Sequence, residues 1–273
     1  MTLGGSADRV PWWSFTKTAI AIAALRLVEQ GRLGLDDRVA GEAFTLRQLL
    51  RHEAGLPDYG GLRRYHEDVA AGRRPWPLDR LLAAVGSTRL LYPPGAGWAY
   101  SNIGYLRIAQ LIERKTGLGL GEALASLLFD PAGLKTARLA RHPGDLADVE
   151  MASAGAYHPG WVYHGLIVGT VADAARLVRS LACGRLLESS TFAAMIEPRA
   201  LPEQRSDRHP DPGYGLGLMV TATQPEYHPL GHSGEGPGSR IAVYAFAGRA
   251  SAVWTALPAA RDADDQAFEM LGR

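Results

Sequence analysis

Ser14-Phe15-Thr16-Lys17 opens the most apolar run of the chain, Thr18 through Leu25 (TAIAIAAL). From Ser14 to about Gln30 the apolar residues (Ala19, Ile20, Ile22, Ala23, Leu25, Leu27, Val28) fall on most sides of a helical wheel, which predicts a helix buried in the middle of a domain. Gly31 and Gly34 stop it. A serine and a lysine three residues apart in the first turn share one face. The amine then reaches the hydroxyl, which is what a serine nucleophile needs in order to lose its proton. The same spacing also describes a helix cap followed by a solvated lysine. Lysine usage separates the two. Of 29 Lys and Arg residues only Lys17, Lys115 and Lys135 are lysine, and the other 26 are arginine. Arginine keeps its proton in a protein, whereas a lysine inside an apolar run can become a neutral base.

Composition bounds the rest. The 273 residues, 47% hydrophobic and 21% charged, suit one soluble domain spanning residues 1–273. A net charge of +1 points to neither nucleic acid nor an anionic membrane as partner. The single cysteine, Cys183, excludes an internal disulfide and is expected to be a small buried hydrophobe near a helix end. Met1 to Trp13 lacks the pattern of a secretory signal, and no apolar run approaches about 18 residues. The expected location is therefore the cytoplasm.

Working outward, Thr45 caps a short helix ending before Gly55-Leu56-Pro57, and Gly60 to Pro77 looks like a surface excursion. Helices are predicted over Leu78–Val85, Ile103–Lys115, Gly121–Phe129, Thr170–Leu181 and Asp262–Leu271, with Ala140 to Gly169 as loop. Tyr214–Ala222, Arg240–Ala247 and Ser251–Leu257 read as antiparallel strands. The helical region (about 45–200) precedes the sheet (mainly 214–257), an α+β arrangement with helices flanking an antiparallel sheet and a helical subdomain beside it.

Acyl transfer needs a proton shuttle, oxyanion donors and substrate-orienting groups besides the Ser/Lys pair. Tyr100-Ser101-Asn102 offers a phenol and a carboxamide where a loop becomes a helix, and Asn102 is the only asparagine in the chain. A phenol beside a protonated lysine is expected to have a lowered pKa and to relay protons. His232-Ser233-Gly234 on a predicted strand leads into Glu235-Gly236-Pro237-Gly238, where a glycine-rich strand end lets substrate lie against backbone amides.

Together these resemble the penicillin-recognising serine hydrolases: serine β-lactamases, D-alanyl-D-alanine peptidases and related esterases. Their signature is S-x-x-K, then Tyr- or Ser-x-Asn, then Lys-, His- or Trp-x-Gly on a strand. Ser14/Lys17, Tyr100/Asn102 and His232/Gly234 match in order, and Tyr-x-Asn is similar to the class C and esterase branch. Leu46–Tyr59, Tyr92–Tyr105 and Tyr214–Leu218 resemble that branch too. The resemblance implies a β-lactamase/transpeptidase-like fold without cofactor or metal. It makes Ser14 the nucleophile, Lys17 its base partner and Tyr100 the proton relay; either Lys17 or Tyr100 could take the first proton. The Ser14 and Glu235 amides would form the oxyanion hole, and Asn102 and His232, with Ser233 and Gly234 beside them, would hold a small acyl substrate. Only Met1 to Trp13 precede Ser14, where the family usually has a helix and two strands, so the expectation is a sheet edge left open unless a second subunit covers it in a homodimer.

Other readings fare worse. Gly231-His232-Ser233-Gly234-Glu235 approaches a nucleophile elbow, but Glu235 occupies the second glycine and no histidine follows His232. His158 and His164 lie in no metal-ligand pattern and read as loop residues. A mostly neutral His232 pairs weakly with a carboxylate, which favours a small ester or amide over penicillins or D-alanyl peptides. A penicillin or acyl-ligand sensor that acylates without turnover is the non-enzymatic alternative.

Overall fold

A computed structural model of the chain describes residues 8–272. Thr16–Glu29 (α1) is buried nearly all round, from Thr16 to Leu25 and again at Leu27, as its sequence requires. Its polar Thr18 is not wasted: the hydroxyl donates to the Gly217 carbonyl at 2.8 Å. The residues before α1 are Val10–Pro11 (β1) and a short 3-10 turn, Trp13–Phe15, which carries Ser14.

The helices that follow are Leu46–Leu50 (α2), Arg63–Ala70 (α3), Leu78–Ala84 (α4), Asn102–Thr116 (α5), Leu120–Leu124 (α6) and Asp130–Ala132 (α7). Thr45 caps α2 as predicted, in a reciprocal capping box with Gln48. Helix α3 lies inside the stretch expected to be a surface excursion. What holds it is buried Asp68, which accepts from Trp76 Nε1 at 2.8 Å, Arg73 at 2.8 Å and Arg64 at 3.1 Å. The expected helix through Phe129 changes to a π-helical turn at Ala125–Phe129 before α7.

The stretch expected to be loop contributes two strands, Arg138–Ala140 (β2) in part and Leu166–Gly169 (β3). They form a small antiparallel sheet in the order β1-β3-β2, with Val10 opposite Gly169 and Pro11 opposite Val168. Val171–Ala182 (α8) and Ser189–Ile196 (α9) follow, α8 capped by Thr170. Cys183 is the C-cap of α8 but is exposed, a correction to its expected burial.

The main sheet comprises Arg199–Ala200 (β4), Pro212–Tyr214 (β5), Met219–Thr221 (β6), Leu230–Gly236 (β7), Ser239–Phe246 (β8) and Arg249–Ala256 (β9), paired antiparallel in that order. The single strand predicted over Tyr214–Ala222 is two, β5 and β6, because Gly217 at φ +81° turns the chain between them. Alternation along β8 sorts its side chains: Ile241, Val243 and Ala245 join the main core with α1, whereas Ala242 and Tyr244 meet the last helix, Ala263–Leu271 (α10). Among the described residues no strand lies beyond β9, and β1 belongs to the other sheet, so β9 is one edge of the main sheet and β4 the other. Of the short segment before Ser14, Met1 to Ala7 lie outside the described residues.

Candidate active site

Two glycines of β7 fix where Ser14 sits. A Cβ at Gly234 would lie 2.6 Å from the Ser14 nitrogen and 2.8 Å from the Trp12 carbonyl oxygen. A Cβ at Gly236 would lie 2.5 Å from the Trp13 ring. The glycine-rich strand end therefore makes room for the chain's own backbone and Trp13, and not for a substrate alone. Trp13 is held in the left-handed region, φ +40°, a strained setting for a bulky residue. Its indole donates to Ser239 Oγ at 3.0 Å, and Trp12 donates to the Gly169 carbonyl at 3.2 Å. Both tryptophans are core residues. Their anchoring aims half-buried Ser14 out of the 3-10 turn at the start of α1.

Lys17 is completely buried, with Nζ 3.2 Å from Ser14 Oγ and 3.2 Å from His164 Nε2. Burial pushes its pKa down from 10.5 to about 7, against the opposing field of Asp58. The amine lies 4.9 Å from the Tyr100 ring centroid and 5.7 Å from that of Tyr105. Burial pushes the pKa of Tyr100 up, and the field of Asp58 adds to the rise. The lowered phenol pKa expected beside lysine is therefore corrected: loss of water raises it.

Asn102 opens α5, with Ser101 as N-cap. Its backbone N–H donates to Asp58 Oδ1 at 2.7 Å and its amide Nδ2 to Asp58 Oδ2 at 3.2 Å, which fixes the carboxamide. Ser101 Oγ donates to the Pro57 carbonyl at 2.9 Å, and its N–H donates to His52 Nδ1 at 3.1 Å. These bonds tie the Tyr100-Ser101-Asn102 corner to the turn after α2. His52 sits at φ +61° with its ring centroid 4.4 Å from that of Tyr100 and 4.9 Å from that of Tyr214.

His232 is on β7, as predicted, but its imidazole is buried among protein groups. Nε2 is 3.0 Å from Tyr214 Oη, and Nδ1 contacts the Ser233 carbonyl. Burial lowers its pKa to about 4, so the ring is neutral at pH 7. Ser233 Oγ contacts Met219 Sδ at 3.7 Å, and Glu235 is an exposed side chain paired with Arg240 at 3.4 Å.

The structure thus brings Ser14, Lys17 and Tyr100 together beside β7, while Asn102 is set by Asp58 and His232 by Tyr214. His164, His52 and Asp58 also belong to this site and were not singled out as site residues from sequence. Asp58 and His52 fall within the stretch Leu46–Tyr59, so its family likeness was the available signal. His164 carried none, because only the pairing of β3 with β1 delivers it to Lys17. No group of three or more metal-binding side chains exists among the described residues, and none of their helices is long and apolar enough to cross a membrane.

The comparisons agree with this architecture. The Beta-lactamase family model matches residues 7–271, and the chain belongs to that family of serine hydrolases with its β-lactamase/transpeptidase-like fold. It is 31% identical to Penicillin-binding protein 4* of Bacillus subtilis over 133 residues, 46% of this chain and 29% of that one. It is 30% identical to Esterase EstB of Burkholderia gladioli over 142 residues, 45% of this chain and 36% of that one. A D-stereospecific amidohydrolase from Streptomyces superposes with a TM-score of 0.74 at 26% identity, covering 90% of this chain and 81% of that one. The matched regions span about a third of the curated relatives' length or less.

Proposed function

We propose that the chain hydrolyses a small ester or amide through an acyl-enzyme on Ser14. The observation that carries this reading is the Ser14 hydroxyl 3.2 Å from a buried lysine amine, which in turn lies 4.9 Å from the centre of the Tyr100 ring. Lys17, with its pKa brought down to about 7, is the first base; Tyr100, with its pKa raised, is not. Lys17 takes the Ser14 proton as Oγ bonds to the acyl carbon. The tetrahedral oxyanion meets the N–H groups of Ser14 and Glu235. The bond to the leaving group then breaks, and the leaving atom receives its proton through Tyr100. Water attacks the acyl carbon and gives a proton to the same relay; the bond to Ser14 Oγ breaks, Oγ takes the proton back, and the acid leaves. No cofactor enters this scheme.

His232 supports the choice of substrate class. A neutral imidazole already engaged by Tyr214 is a poor partner for the carboxylate of a penicillin or a D-alanyl peptide. A neutral ester or an amide suits it better, and the likeness to an esterase and to a D-stereospecific amidohydrolase points the same way. The test is a panel of p-nitrophenyl esters, D- and L-amino acid p-nitroanilides and nitrocefin, with Ser14→Ala as control. Turnover of esters or anilides that is lost in Ser14→Ala supports the reading. Preferential turnover of nitrocefin would replace it with a β-lactamase, and a stable adduct without turnover would replace it with a sensor.

A further inference from the structure

His164 is buried and used by none of the steps above. It lies just before β3, whose antiparallel pairing with β1 places it beside the start of α1. Its Nε2 is 3.2 Å from Lys17 Nζ, and its Nδ1 has no hydrogen-bond partner among the described residues. A group so placed acts on little besides the lysine.

The chemistry of the pair is restricted. A neutral lysine has one lone pair and two N–H bonds. If Nε2 carried the imidazole proton, it would occupy that lone pair and leave nothing to receive the proton of Ser14. If Nδ1 carries it, Nε2 accepts from lysine, and the lone pair stays free for Ser14 Oγ. Once Lys17 becomes an ammonium, Nε2 can only accept, and the bond becomes charge-assisted. Burial and the field of Lys17 keep the histidine neutral, with its pKa well below 6.5. The other ionisable groups facing the pair are Asp58 from the turn after α2, His52 at the end of α2, Tyr100 and Tyr105 at the start of α5, and His232 on β7. The Asp58 oxygens are engaged by Asn102, so it acts on Lys17 through its field.

From this we infer that His164 is a positioning residue for Lys17: neutral Nε2 holds the amine toward Ser14 and stabilises the ammonium that forms when Ser14 is deprotonated. The inference rests on the acyl-enzyme reading for its role in turnover, but the contact itself can be measured without substrate. The experiment is NMR of the protein labelled with ε-13C lysine, which has only three lysines to resolve, with Lys17→Arg providing the assignment. The Lys17 midpoint is followed in wild type, His164→Leu and His164→Gln, each checked for native folding by circular dichroism.

Losing an acceptor from a charged donor is expected to lower the Lys17 midpoint by about one pH unit in His164→Leu. The acid limb of the pH profile for kcat/KM should move with it, while the plateau falls roughly tenfold. His164→Gln, which restores an acceptor, should recover much of both. An unchanged Lys17 midpoint in folded His164→Leu overturns the inference, as does identical behaviour of the two variants. Loss of the plateau alone, with no movement of the limb, also overturns it by reducing His164 to a packing role. Turnover that survives in Ser14→Ala defeats the acyl-enzyme reading and with it this role, a result separable from the lysine titration.

Discussion

Gly234 lies so close to Ser14 that a methyl group at position 234 would sit 2.6 Å from the serine nitrogen. That distance joins the strand motif to the nucleophile motif through backbone, not side chains. Gly234→Ala must push the 3-10 turn away from β7, with Trp12 and Trp13 locked behind it. The expected result is a loss of stability of about 1–3 kcal/mol by chemical denaturation. Hydrolysis should fall more steeply than the folded fraction, because the Ser14 amide is displaced from the proposed oxyanion position. Native activity in Gly234→Ala would contradict this placement.

Lys17 predicts how stability depends on pH. Its folded pKa is about 7 against 10.5 for the free side chain, so between those values the unfolded chain binds more protons. Stability from this group therefore rises as pH climbs from 7 toward 10.5, with a slope of up to about 1.4 kcal/mol per pH unit. Below pH 7 both states hold the proton and the slope vanishes. Denaturation midpoints measured across this range should show the rise in wild type and lose that component in Lys17→Met. A Lys17→Met profile parallel to wild type would mean that the amine is solvated.

Asp58 sets Asn102 through two hydrogen bonds and also opposes the depression of the Lys17 pKa. Asp58→Asn removes the charge while keeping the size. Lys17 should then titrate lower, moving the acid limb of kcat/KM downward. The Asn102 amide donor, left facing another amide, should lose its fixed orientation and raise KM. A pH profile identical to wild type would show that Asp58 does not act on the lysine.

Much of this arrangement was legible in the sequence, for local reasons. The buried character of α1 follows from apolar residues on most sides, the α2 cap from Thr45, and the β8–β9 pair from two apolar runs joined at Gly248-Arg249. What escaped depended on distant contacts. Strand β1 has two residues and β3 four, too few to show a period, yet their pairing delivers His164 to Lys17. Helix α3 is held by Asp68 and its arginine and tryptophan partners, a network that no periodicity reports. Gly217 divided one expected strand because its positive φ serves a turn against α1, where a Cβ would meet Ala21 at 2.5 Å. The pKa of Tyr100 moved opposite to expectation because burial, which sequence does not display, raises it and the field of Asp58 acts in the same direction.

Among the described residues no strand pairs with the outer side of β9, which bears on assembly. An edge strand with its backbone groups unpaired is a template for pairing with a second copy. If two chains join there, size-exclusion chromatography with light scattering should give a dimer, and a proline at Ala252 should convert it to monomer. A wild-type monomer would remove the pairing from the account.

The central claim is that Ser14 becomes acylated. Intact-mass spectrometry of the protein mixed rapidly with a p-nitrophenyl ester, followed by peptide mapping, tests it directly. The account predicts one added acyl group, located on Ser14, formed and lost at rates compatible with turnover, and absent from Ser14→Ala. Turnover without any adduct, or an adduct that persists on another residue in Ser14→Ala, would contradict it.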